Sequence, residues 1–175
     1  KPVFALPSAP VILAAHAMAT RFELVLHGAN PASLRAAGGQ ALAGGEGLGN
    51  QLSLYRNTSE IAHVNARAAR EPVRVSPELM RLLRQALALG TSVDGAFDVT
   101  IAPLVRCWGF MGGMGAMPEP EAVAQARSLV GPGMVELDEQ AGTVRFHRGG
   151  VVIGLGGIGT GYAEECAVEG WGEGG

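Results

Sequence analysis

The stretch Asp94–Phe110, DGAFDVTIAPLVRCWGF, decides how the chain is read. It opens on Asp94-Gly95, a turn signal. It then sets a carboxylate, Asp98, beside an aromatic ring, Phe97, and a hydroxyl, Thr100. After Pro103 an apolar run leads to Trp108-Gly109-Phe110. The whole chain has only five phenylalanines, two tyrosines and two tryptophans, so this concentration is informative. Two readings are open: a buried corner, or the wall of a pocket for a flat ligand with a polar edge.

Working outward, 175 residues suffice for one domain with a core of its own. Hydrophobic residues make up 47% and charged residues 17%, a globular balance. Net charge is −3 and there is no Lys/Arg run, so no electrostatic footprint for nucleic acid exists. No apolar run reaches the roughly 18 residues of a membrane span. Cys107 and Cys166 form neither a CxxC nor a zinc pattern and read as two free buried thiols, with a single disulfide as the alternative. The chain starts at Lys1 and so reads as processed, trimmed or partial. Pro2, Pro7 and Pro10 interrupt its first apolar run, which argues against an intact signal peptide.

Local patterns give a mixture of strands and helices. Met18–His27 alternates as a strand, with Phe22, Leu24 and Leu26 on one face. Asn30-Pro31 starts a helix whose stripe runs through Leu34, Ala37, Ala41, Leu48 and Leu52. Gly38, Gly39, Gly44, Gly45, Gly47 and Gly49 interrupt it. Six interior glycines cost on the order of 5 kcal/mol against alanine, so this helix requires tertiary support. Leu52–Tyr55 reads as a short strand, and Asn57–Asn65 as a capped short helix. Pro72–Val75 reads as a strand. Ser76-Pro77-Glu78 starts a helix ending near Ser92, with cap, first-position proline and first-turn acid in place. Gly112–Pro120 is a loop and Glu121–Val130 a helix, stopped by Gly131-Pro132-Gly133. Met134–Asp138, Thr143–His147 and Val151–Leu155 read as strands. Gly156–Val168 begins as a glycine-rich turn and becomes a helix. The order does not alternate strictly, which favours α+β with a mixed sheet and flanking helices over a doubly wound parallel sheet.

Three features could carry chemistry. Gly154-Leu-Gly156-Gly-Ile-Gly159 fits GxGxxG after a predicted strand, and such amides can cradle a pyrophosphate. A dinucleotide fold would need a further strand and an acid about 20 residues on, and too little sequence follows. Tyr55, in Ser53-Leu-Tyr-Arg-Asn, is either half-buried packing or a stacking surface. Asp98 is either a turn residue or an acceptor for a ligand's NH and OH groups. His16, His27, His63 and His147 are scattered and read as isolated, since metal sites need convergent ligands.

Taken together, several stretches resemble one family. They are Met18-Ala-Thr20 before a strand, Ser53-Leu-Tyr55-Arg, Ser59-Glu60-Ile61 with Asn65, and Val75-Ser76-Pro77-Glu78-Leu79. Gly95-Ala-Phe-Asp98-Val-Thr100 with Pro103-Leu104 and Trp108-Gly109-Phe110 follows, and then Leu155-Gly-Gly-Ile-Gly-Thr-Gly-Tyr162-Ala. In this order, over residues 16–163, they resemble the ApbE family, the FAD:protein FMN transferases, once called thiamine biosynthesis lipoproteins. The resemblance implies a single ApbE-like domain over residues 1–175, apparently without the family's C-terminal part.

It further implies a periplasmic enzyme, or an inner-membrane lipoprotein in the full-length precursor, that binds FAD and Mg²⁺. Such an enzyme releases AMP and joins FMN to a Thr or Ser of an acceptor flavoprotein. By resemblance Met18 and Tyr55 line the flavin nucleotide, and Ala96, Phe97 and Asp98 bind its polar edge. Gly154, Thr160 and the Gly156–Gly161 turn meet the pyrophosphate, and the Gly157 carbonyl is offered to Mg²⁺. Two positions depart from the family: Gly154 stands in place of Asp, and Thr160 in place of Lys. Losing that lysine weakens nucleotide binding, because charge-assisted hydrogen bonds are about twice as strong as neutral ones. The groups that break the pyrophosphate are expected beyond Gly175, so the chain alone is expected to show little activity. The alternatives are an FAD-binding relative without catalysis, an inactive fragment, or a domain with no ligand. Glycines at 154 and within 38–49 also raise the expectation of unassigned residues written as glycine.

Overall fold

The first strand comes from a stretch whose prolines disguise it. In the computed structural model, which describes residues 9–17, 20–54, 56–162 and 164–165, Pro10 sits just before strand β1 (Val11–Ala17). A proline there forfeits no ladder bond, so it marks the strand's start. β1 pairs antiparallel with β2 (Thr20–Leu26), with Leu13 opposite Leu24 and Ala15 opposite Phe22. The expected alternation holds: Phe22, Leu24 and Leu26 are half-buried, while Arg21, Glu23 and Val25 are exposed.

Helix α1 (Pro31–Leu52) then forms over its full predicted length. The Asn30 side-chain oxygen accepts from the Ala32 and Ser33 amides at 3.0 and 3.3 Å, capping its first turn. The required tertiary support is found at Gly38. A Cβ there would lie 2.5 Å from Leu13 Cδ1 and 2.7 Å from Leu26 Cδ1, so the missing side chain lets the helix lie close on the hairpin. Gly39, Gly44, Gly45 and Gly47 have nothing within 4 Å of such an atom, and nothing in their surroundings requires glycine. The hairpin and most of α1 belong to one compact unit, residues 1–50 with 159–175.

Residues 51–158 form the second compact unit. It contains helices α2 (Glu60–Arg67), α3 (Pro77–Ser92), α4 (Ala102–Cys107) and α5 (Pro120–Arg127). Its sheet has the order β3-β5-β4, from β3 (Val73–Arg74), β4 (Val135–Asp138) and β5 (Thr143–Phe146). The fold is α+β, as expected. In place of one mixed sheet there are two small sheets, and every pairing among the described residues is antiparallel. Short hairpin connections dictate this for β1–β2 and β4–β5, since parallel pairs need long crossovers, whereas β3 joins β5 from far away in sequence. Ile61, Val64, Leu79, Leu82, Leu83, Val144, Phe146, Ile153 and Leu155 are all at most 1–2% exposed and form the core of this unit.

Within this unit one half-buried carboxylate ties Gln51 to the starts of α2 and α3. Glu60 accepts from Gln51 Nε2 at 2.6 Å and from Ser76 Oγ at 2.9 Å, and also takes the Ser76 amide. Ser76 Oγ in turn caps α3 through the Leu79 amide at 3.2 Å. Ser59 caps α2 through the Ala62 amide, and its hydroxyl donates to the Ser53 carbonyl at 2.6 Å. The Ser59-Glu60 pair is thus a fold device.

Two further expectations change, and α4 is an addition. Leu52 ends α1, Ser53 and Leu54 are not in a strand, and Tyr55 lies outside the described residues. The apolar run after Asp98 contains α4, with Pro103 in its first turn, where the missing N–H costs nothing. Val151–Leu155 joins no ladder. Its alternation is real, since Val151, Ile153 and Leu155 are buried, but its backbone is paired in another way.

Candidate functional site

Asp94 and Gly95 are where the site begins. Asp94 has φ +51° and Gly95 φ +78°. The Gly95 amide donates back to the Gly90 carbonyl at 3.0 Å and the Asp94 amide to Thr91 at 3.4 Å. This 6→1 and 5→2 pair closes α3 in a Schellman motif and turns the chain sharply into Ala96-Phe97-Asp98. Gly90 permits the return: a Cβ there would lie 2.9 Å from the Phe97 carbonyl oxygen. Ala96 is exposed, and Phe97 and Asp98 are half-buried.

Asp98 is held firmly. Its Oδ1 accepts from the Thr100 amide at 2.7 Å and from Thr100 Oγ1 at 2.6 Å. Thr100 is fully buried, and its Oγ1 accepts from the Gly131 amide at 2.8 Å. Among the described residues Oδ2 takes no hydrogen bond. The turn role and the ligand role of Asp98 are therefore compatible, one oxygen for each.

The glycine-rich stretch is fixed alongside. The Asn65 side chain, from α2, reads Ile153 as a neighbouring strand would. Its Oδ1 accepts from the Ile153 amide at 2.8 Å, and its Nδ2 donates to the Ile153 carbonyl at 2.9 Å. The next amide, Gly154, donates to the Val99 carbonyl at 2.8 Å. Gly154 is thereby locked one residue from Asp98. The turn 156–158 follows, closed by Ile158 donating to Leu155 at 3.1 Å. A Cβ on Gly157 would lie 3.3 Å from the Phe97 ring. Gly156 and Gly157 are exposed, and among the described residues their amides donate to no protein acceptor. Two such amides beside an aromatic ring and a carboxylate can receive an anionic ligand with a ring attached.

The structure therefore brings together Phe97, Asp98, Gly154 and Gly157, with Ala96 adjoining. Thr160 lies on the helical residues 159–162, in the other unit. Met18 and Tyr55 lie outside the described residues. Position 154 itself has room: a Cβ would make ordinary contacts with Leu54 Cδ2 at 3.7 Å and Ala102 Cβ at 3.8 Å. No group of three or more His, Cys, Asp or Glu that could hold a metal occurs among the described residues. The described residues do not by themselves complete a magnesium site. Cys107 is a free, half-buried thiol, and Cys166 lies outside the described residues. Among the described residues no helix is long and apolar enough to cross a membrane. Sequence reading missed the work of Asn65 and Gly131. Asn65 had a signal, its place after Ser59-Glu60-Ile61; Gly131 had none beyond its glycine.

The chain belongs to the ApbE family, whose pattern it matches over residues 18–175. An FAD:protein FMN transferase of Klebsiella pneumoniae is 34% identical over 113 residues, 63% of this chain and 35% of that protein. The crystal structure of the ApbE protein from Thermotoga maritima matches with a TM-score of 0.83 at 28% identity, covering 92% of this chain and 52% of that one. The apo form of the Pseudomonas stutzeri flavinyl transferase ApbE matches with a TM-score of 0.80 at 25% identity, covering 95% and 56%. The chain spans about half of these structures and about a third of the Klebsiella relative.

Proposed function

We propose that this chain is the flavin-nucleotide-holding part of an FAD:protein FMN transferase. One observation carries the reading: the Gly154–Val99 hydrogen bond sets a glycine turn, whose two amides donate to no acceptor among the described residues, against Phe97 and Asp98. Membership in the ApbE family supplies the reaction class. Under this reading the Gly156 and Gly157 amides donate to the pyrophosphate of FAD. Phe97 offers a flat apolar surface, and Asp98 Oδ2 accepts from an NH or OH at the ligand's polar edge. The acceptor flavoprotein's Thr or Ser oxygen bonds to the FMN phosphorus as the P–O bond to AMP breaks. Transfers of this kind depend mainly on positioning and on neutralising charge. The residues described here bind and orient. The Gly157 carbonyl is the one oxygen this reading offers to Mg²⁺, which would polarise the phosphate when bound. The same reading sets the protein in the periplasm, with an inner-membrane lipoprotein as precursor.

A second reading, FAD binding without transfer, is favoured by two residues, Gly154 and Thr160, which remove an acid and a cation from the family pattern. Incubation with FAD, Mg²⁺ and a Thr/Ser acceptor flavoprotein separates the two. AMP release with covalently bound flavin supports transfer, and FAD retention without AMP supports binding alone. If flavin fluorescence is unchanged on mixing, both readings fail.

A further inference from the structure

We propose that Thr100 is a positioning residue that fixes the Asp98 carboxylate toward its ligand; the inference rests on the flavin-nucleotide reading of the site. An ionised carboxylate only accepts hydrogen bonds, so at 2.6 Å the Thr100 hydroxyl proton must point to Asp98 Oδ1. That leaves the hydroxyl lone pairs for the Gly131 amide, which donates at 2.8 Å. The chain Gly131 N–H, Thr100 O–H, Asp98 Oδ1 therefore runs in one direction. Its far end is anchored in backbone: Gly131 has φ +144°, a conformation that suits glycine and aims the amide inward. Thr100 is 0% exposed, so neither bond is contested by water. The Thr100 amide adds a second donor to the same oxygen at 2.7 Å. With Oδ1 occupied twice, the carboxylate cannot rotate without breaking both bonds, and Oδ2 remains the oxygen for a ligand. Nothing in the pairing requires an acid for packing alone, since Asp98 is only half-buried.

The test is a double-mutant cycle on the full chain, with FAD as the probe and quenching of flavin fluorescence as the readout. Thr100→Val keeps the shape and removes the hydroxyl; Thr100→Ser keeps the hydroxyl. T100V is expected to weaken FAD binding roughly tenfold and T100S by no more than about twofold. In an Asp98→Ala background, T100V is expected to have no further effect, because its influence passes through the carboxylate. Parent-like affinity in T100V, or an equal loss with and without Asp98, overturns the proposal. Thermal unfolding of each variant reports folding separately. Should T100V fail to fold, Thr100→Cys offers only a weak S–H donor, and affinity equal to T100S would then overturn it. Failure of the parent chain to bind FAD is a distinct result that removes the site reading itself.

Discussion

At Asn65 a single side chain replaces a β-strand. Its amide presents a donor and an acceptor side by side, the same pair that a backbone residue offers across a ladder. Ile153, its partner, is 0% exposed, so water cannot take over if Asn65 is lost. Asn65→Ala leaves a buried N–H and a buried C=O unpaired, and is expected to cost about 2–4 kcal/mol. A urea midpoint within error of the parent, at unchanged m-value, would contradict this. Asn65→Asp should be nearly as damaging, since it loses the donor and sets a carboxylate against a carbonyl. The consequence for function is local: the bonded residue is followed directly by Gly154, so loosening it frees the turn beside Phe97. Little of this was legible in the sequence. The two residues are 88 positions apart, and the alternation of Val151, Ile153 and Leu155 predicts a strand without saying what pairs with it. Asp94-Gly95, by contrast, was readable as a turn, because the conformations it needs are written in the dipeptide itself.

Among the elements, α1 shows how far tertiary contact overrides propensity. Summed glycine cost argues against a helix, yet 22 residues are helical. The Asn30 cap and the hydrophobic stripe were legible. The reason for Gly38 was not, since it lies in Leu13 and Leu26, on a hairpin whose first strand was hidden behind prolines. The glycines divide accordingly. Gly44 is exposed, with nothing near its absent Cβ, so Gly44→Ala should stabilise by roughly 1 kcal/mol. Gly38→Ala gains the same backbone term but must displace two leucine methyls, so its net gain should be clearly smaller, or negative. Chemical denaturation of the two variants beside the parent measures the contrast. Equal stabilisation by both would mean that α1 does not lie against Leu13 and Leu26 as described. Helix α3 is the opposite case: Ser76, Pro77 and Glu78 start it and Asp94-Gly95 ends it, all within local reach. The capping role of Glu60 toward that helix was not readable, because it arrives from 16 residues away.

For the whole molecule, the division into two units makes the site reading testable by position. Phe97, Asp98, Gly154 and Gly157 all fall within residues 51–158, whereas Thr160 belongs with 159–175. A ligand that binds only the folded state stabilises it by RT ln(1 + [L]/Kd), about 2.7 kcal/mol at a hundredfold excess over Kd. Amides that exchange only through unfolding of the ligand-holding unit should then slow roughly a hundredfold in hydrogen exchange. FAD is therefore expected to slow exchange throughout the 51–158 core, including Val144, Phe146 and Ile153. Amides near the site should respond even where they exchange by local opening. The Gly156 and Gly157 amides are the sharpest reporters. They have no protein acceptor among the described residues, so they should exchange rapidly in the free chain and gain protection only when a ligand accepts from them. Riboflavin, which has the ring but no phosphate, should protect residues around Phe97 while leaving those two amides fast. Protection of Gly156 and Gly157 by riboflavin equal to that by FAD would contradict the pyrophosphate assignment and shift the phosphate contact elsewhere in the molecule.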